Sequence, residues 1–225
     1  MRRTLSAFVI CAAFAANAAA QQPAAPRPTP PPQPAEVADP HAGHHMAEPT
    51  AAQSPAQKYF SDVELLDQDG RKVRFYSDML KGKTVVINAF FTTCTSVCPP
   101  MNRNLEKVQE ALGDRLGKDV FIVSISVDPT TDTPTRLKEY AQRFHAKPGW
   151  TFLTGKKENV DWALYKVGQY VESKDDHTTV IIIGNEATGL WKKALGMAKP
   201  TELIPIVYSV ADDKGEGSDV KGGKQ

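Results

Sequence analysis

Cysteine is scarce: the 225 residues contain three, Cys11, Cys94 and Cys98. A disulfide-dense scaffold is thereby excluded. An excess of one charge is missing too. Lysine and arginine number 27 against 26 acids, and no basic block exceeds two or three residues. That balance lacks the electrostatic footprint of a nucleic-acid binder, so no nucleic-acid partner is expected. No internal repeat is present. Long apolar runs are also rare. Thr4 to Ala20 comes nearest to one, and its alanine-dominated residues barely reach across a hydrocarbon core of roughly 30 Å.

What is there divides into a leader, a tether, one domain and a tail. Arg2 and Arg3 precede the run from Leu5 to Ala20, which ends in the small residues Ala18-Ala19-Ala20. Residues 1–20 therefore read as a secretory signal peptide, cleaved on export, with an uncleaved membrane anchor as the alternative. A periplasmic location is expected. Cleavage removes Cys11 and two of the 27 bases, leaving 25 against 26 acids and two cysteines, Cys94 and Cys98. Residues 21–57 hold ten of the 17 prolines and no aromatic residue, the composition of an extended tether. Residues 211–225, rich in glycine and charge, are expected to form a disordered tail.

Residues 58–210 alternate strand and helix patterns. Val63 to Leu66 and Val73 to Phe75 flank Asp67-Gln68-Asp69-Gly70, which predicts an N-terminal β-hairpin. Thr84 to Phe91, Val120 to Val127 and Thr178 to Ile183 are continuous apolar runs rich in β-branched residues, the pattern of strands buried on both faces. Helices are predicted from Pro99 to Leu112, from the Asp132-Thr133-Pro134 cap to Lys147-Pro148-Gly149, from Glu158 to Val167 and from Pro200 to Tyr208. Leu190 to Ala194 should pair antiparallel with the third buried strand. The expected fold class is α/β, a mixed central sheet with helices on both faces.

Cys94-Thr95-Ser96-Val97-Cys98-Pro99 falls between the first buried strand and a helix, where ligands collect in an open α/β sheet. A helix N-terminus stabilises a thiolate, so at least one thiol should have a lowered pKa. On a regular helix the two Cβ atoms would lie about 5–6 Å apart, against roughly 3.8 Å in a disulfide. The spacing permits both metal binding and a disulfide, and metal asks for less backbone adjustment. Two thiolates leave a metal under-coordinated, so a third ligand must come from elsewhere. Of the five histidines, His145 follows Phe144 at a predicted helix end, where an imidazole needs no functional reason. His177 follows Asp175-Asp176 at the entrance to the third buried strand.

Phe90 to Pro99, Val123 to Pro129, Asp132-Thr133-Pro134 and Asp176-His177, in that order, resemble the Sco/SenC family of copper-binding proteins across roughly residues 60–210. The resemblance implies a thioredoxin-like fold and copper, as Cu(I) or Cu(II), one per domain. Cys94, Cys98 and His177 would be the metal ligands, with Asp176 a candidate to orient His177. Met101 is a candidate weak ligand whose simpler role is core packing. The resemblance further implies a chaperone that delivers copper to an enzyme such as the binuclear copper centre of cytochrome c oxidase. Oxidation should join Cys94 to Cys98 and block copper uptake, which requires a thiol reductant as a second partner. Membrane contact is expected through a partner or an uncleaved N-terminal segment.

Two alternatives act through the same pair: a thiol-disulfide oxidoreductase and a peroxiredoxin-like thiol peroxidase. The peroxidase weakens because peroxiredoxins resemble Pro-x-x-x-Thr-x-x-Cys at this loop, whereas no proline precedes Thr95 here, and the reductase has no use for His177. A last motif lies in the tether. His41, His44, His45 and Met46 crowd into six residues, a candidate auxiliary copper site on a flexible arm ending eleven residues later at Gln57.

Overall fold

The expected hairpin forms around a carboxylate. Strand β1 (Glu64–Asp67) pairs antiparallel with β2 (Lys72–Arg74), and buried Asp67 accepts hydrogen bonds from the N–H groups of Asp69 and Arg71, both at 2.9 Å. This is a computed structural model, and it describes residues 30–31 and 53–215. The expectations for residues 1–20, for most of the tether including His41, His44, His45 and Met46, and for residues 216–225 lie outside the described residues.

Five more strands complete one sheet: β3 (Thr84–Phe90), β4 (Val120–Ser126), β5 (Trp150–Thr154), β6 (Val180–Asn185) and β7 (Leu190–Leu195), in the order β2-β1-β5-β4-β3-β6-β7. The three central strands are parallel, whereas β6 runs antiparallel to β3 and β7 antiparallel to β6. Every residue of β3 is buried, because the pleat sends alternate side chains into two separate cores. Val86 and Phe90 face one layer with Met101 and Leu105 of α2 (Cys98–Leu112), Leu137 and Tyr140 of α3 (Pro134–Arg143), and Leu203 and Val207 of α5 (Pro200–Ala211). Val85, Ile87 and Ala89 face the other, with Phe60 of α1 (Pro55–Phe60), Phe75 and Leu80 of a π-helical turn, and Val160 and Leu164 of α4 (Lys157–Lys166). The architecture is the mixed sheet with helices on both faces that the alternating pattern predicts.

Strand ends move by one or two residues, as where the run Thr178 to Ile183 becomes Val180–Asn185, and three helix boundaries shift for reasons the packing shows. Helix α1 begins at Pro55, inside the segment assigned to the tether: Ser54 Oγ accepts from the Gln57 N–H at 3.1 Å, proline occupies the first turn, and Phe60 is buried. Helix α3 stops at Arg143 rather than near Lys147, since Gln109 of α2 donates to the His145 carbonyl at 3.0 Å and accepts from the Lys147 N–H at 2.8 Å. Helix α5 runs past Tyr208 to Ala211 because Val210 is fully buried and its carbonyl accepts from Asn185 Nδ2 at 3.2 Å.

Candidate metal centre

The topology brings two distant segments to one end of the sheet. The cysteine loop leaves the C-terminal end of β3, and His177 precedes the N-terminal end of its antiparallel neighbour β6, whose last pair with β3 is Asn88 opposite Ile181. Antiparallel pairing therefore places an exit beside an entrance. Cys98 and His177, 79 residues apart in the chain, have Sγ and Nε2 3.3 Å apart. The ligand atoms of Cys94, Cys98 and His177 all lie within 4.8 Å of one another. Among the described residues these three form the one such cluster of histidines, cysteines and acids.

Local structure explains how each donor is held. The Cys94 N–H donates to the Phe91 carbonyl at 3.2 Å, making a turn after β3. Helix α2 opens at Cys98 with proline in its first turn and no oxygen cap. The cap is sulfur instead: the Cys98 N–H donates to Cys94 Sγ at 3.4 Å. Cys94 thus stands on the loop, not on regular helix. His177 closes a short 3₁₀ turn, Lys174–Asp176. Its Nδ1 lies 2.8 Å from the Lys174 carbonyl; a carbonyl only accepts, so Nδ1 carries the proton and Nε2 keeps its lone pair toward the sulfurs. The Phe91 ring meets the imidazole edge to face, with centroids 5.1 Å apart.

Residues the sequence reading did not single out as site residues support this arrangement. Lys174 Nζ pairs with Asp128 Oδ2 at 2.7 Å, tying the His177 turn to the loop after β4. Asp132, expected to help cap α3, leaves that task to Thr133, whose Oγ1 accepts from the Arg136 N–H at 3.4 Å. Fully buried Asp132 instead accepts from the Thr92 N–H at 3.1 Å, from the Thr92 hydroxyl, and from Ser126 Oγ at 2.6 Å. Asp176 is exposed, and the orienting contact to His177 is the Lys174 carbonyl. Met101 is fully buried in the core. His145 sits apart, with Nδ1 2.6 Å from Glu106 Oε1. The motifs around Asp128 and Asp132 were visible in the sequence, but their partners were not.

The SCO1/SenC family profile matches residues 51–208, most of the chain. The chain belongs to the SCO1/SenC family. It is 38% identical over 103 residues to an SCO2-like protein of Rickettsia conorii; the match covers 46% of this chain and 48% of that protein, so the chain spans about half the length of that relative. Among solved structures it is similar to Bradyrhizobium japonicum ScoI with copper bound, at 29% identity and a TM-score of 0.55, covering 66% of this chain and 96% of that one. It is also similar to BsSco, described as carrying a disulfide switch and as a member of the Sco family of cytochrome c oxidase assembly proteins, at 28% identity and a TM-score of 0.55, covering 67% and 92%.

The two thiols of this Sco chain differ electrostatically. Burial pushes Cys94 up, but hydrogen bonds from the Cys98 thiol, the Cys98 N–H and Ser96 outweigh it, and its pKa falls below the usual thiol value. Burial raises Cys98 far above that value, and the neighbouring Cys94 adds to the rise. Without metal the pair gives up its first proton readily and its second with difficulty. Two sulfurs and a lone-pair-bearing imidazole nitrogen form a soft donor set, which suits copper in both oxidation states.

Proposed function

We propose that this chain binds one copper ion through Cys94 Sγ, Cys98 Sγ and His177 Nε2 and hands it to a copper enzyme. The observation that carries the reading is the convergence of those three donor atoms within 4.8 Å. Two thiolates suffice for Cu(I), and the imidazole adds the nitrogen that Cu(II) prefers. Copper in the ScoI structure and the oxidase-assembly description of BsSco support an acceptor such as the binuclear copper centre of cytochrome c oxidase. The leader-like residues 1–20 support export to the periplasm. Among the described residues, no helix is long and apolar enough to cross a membrane.

Copper enters here as cargo. The protein's part is to hold the two sulfurs close, to favour the thiolate at Cys94, to fix the imidazole tautomer through the Lys174 carbonyl, and to keep one side open. Cys98 is fully buried, whereas His177 is partly exposed, so an incoming ligand would displace donors from the histidine side. Anaerobic titration of the reduced full chain tests the reading. One Cu(I) and one Cu(II) equivalent should bind, and His177→Ala should keep the Cu(I) stoichiometry while weakening Cu(II) by about tenfold or more. Unchanged Cu(II) absorption and affinity in that variant would overturn the ligand assignment.

A further inference from the structure

A cavity opens beside the cysteine loop. Its volume is about 380 Å³, and Cys94 lines it while Cys98 and His177 do not. Arg103 of α2 and Arg143 of α3 line it from two helices, together with Thr93 and Thr95 and with no acidic residue. Arg143 stacks on Tyr140, its guanidinium carbon 5.9 Å from the ring centroid, and has no carboxylate partner among the described residues. Arg103 shares one amino group with Glu106 at 2.8 Å and lies over the Phe144 ring, so its stem is fixed while its side chain stays 56% exposed. A concave space of this size suits a small molecule better than a protein surface. Two guanidiniums with no acid beside them in the lining select carboxylates.

We propose that this cavity binds a small thiol carrying carboxylates, which reduces the Cys94–Cys98 disulfide by attacking Cys94. The disulfide arises when a two-electron oxidant, such as a diazene or a partner disulfide, removes two electrons and two protons from the pair; the loop must then draw together sulfurs that now lie within 4.8 Å. The bound thiolate forms a bond to Cys94 Sγ while the Cys94–Cys98 bond breaks, and the electron pair leaves on Cys98 Sγ, which takes a proton from solvent. A second small thiolate attacks the sulfur of the first, releasing Cys94 as a thiolate and the small molecule as its own disulfide. The cavity decides the regiochemistry, since Cys94 is the sulfur it reaches. The inference extends the proposed copper function by naming what returns the site to its metal-binding form.

The test uses the full chain oxidised with diamide and two probes, glutathione and its diethyl ester, compared at equal thiolate concentration. Glutathione should reduce the disulfide about tenfold faster and saturate, and the preference should shrink in 1 M salt. In Arg103→Gln/Arg143→Gln the ratio of the two rates should fall to about one, while Arg143→Lys alone, which keeps the charge, retains most of it. Equal rates in the parent, absence of saturation, or an unchanged ratio in the double variant would overturn the proposal. Copper stoichiometry of the reduced parent is read separately, so failure of this site and failure of the copper reading are distinguishable.

Discussion

Lys174 acts twice at the metal centre, through its carbonyl, which accepts the His177 Nδ1 proton, and through its ammonium, which pairs with Asp128. Burial alone would raise the Asp128 carboxyl, but hydrogen bonds from Lys174, Thr130 and Thr131 overcome it and hold the group below the ordinary carboxylate value. Because the folded pKa is the lower one, the pair's contribution is complete above the unfolded aspartate value of about 3.9 and is lost as pH falls through the folded value. Asp128→Asn should therefore loosen the turn carrying His177 and weaken Cu(II) binding by about tenfold. In denaturant titrations from pH 2 to 6 the variant should show a shallower acid limb than the parent. An acid limb of parental steepness would mean that Asp128 is not the group being read.

Between elements, the cysteine loop is braced by a carboxylate that belongs to another segment. Asp132 stands before α3, yet its hydrogen bonds go to Thr92 in the loop after β3 and to Ser126 at the end of β4. Asp132→Ala leaves one buried and two partly buried donors without their acceptor and should cost about 3 kcal/mol, lowering Tm by on the order of 10 °C. The loop should also lose its fixed geometry, so Cu(I) affinity should fall even at temperatures where the variant stays folded. Calorimetry and a competitive copper titration check the two effects independently. Below the same loop, a buried chain of hydrogen bonds runs from Trp150 Nε1 to Ser124 at 2.9 Å and from Ser124 to Asn88 at 2.6 Å. It continues from Asn88 to Asn102 at 3.2 Å and from Asn102 to Tyr140 at 3.0 Å. It joins three strands to both helices that flank the cavity. Such a fully partnered network sets the register of helices against sheet.

Over the whole molecule, the site depends on β6 returning antiparallel to β3, since a parallel neighbour would have left His177 at the opposite end of the sheet. We propose from the sequence a second contribution at this scale: if His41, His44 and His45 collect copper, their position a few residues before the domain raises the local metal concentration without any docking surface. Replacing the three with alanine in the full chain should leave the domain's affinity unchanged, remove one weak copper equivalent and slow loading when metal is scarce. Stopped-flow loading at substoichiometric copper reads that rate. An unaltered stoichiometry and rate would reduce the motif to linker composition.

The sequence by itself determined the buried strands and the cysteine pair. Thr84 to Phe91, Val120 to Val127 and Thr178 to Ile183 are legible because a strand buried on both faces needs an unbroken apolar run. Pro99, Pro134 and Pro200 mark helix starts because a first-turn residue has no N–H partner to lose. Cys94 and Cys98 are legible as a pair because their spacing is local. The turn Phe75–Leu80 was not legible, since π-helical bonding leaves no periodicity in so short a segment. Only the tertiary structure decided that Cys94 sulfur caps α2, that the Lys174 carbonyl fixes the His177 tautomer, and that Asp128 and Asp132 brace the site. The physical reason is common to all of them. A backbone carbonyl carries no residue identity, and a buried carboxylate takes its meaning from donors that strand pairing brings to it from elsewhere in the chain.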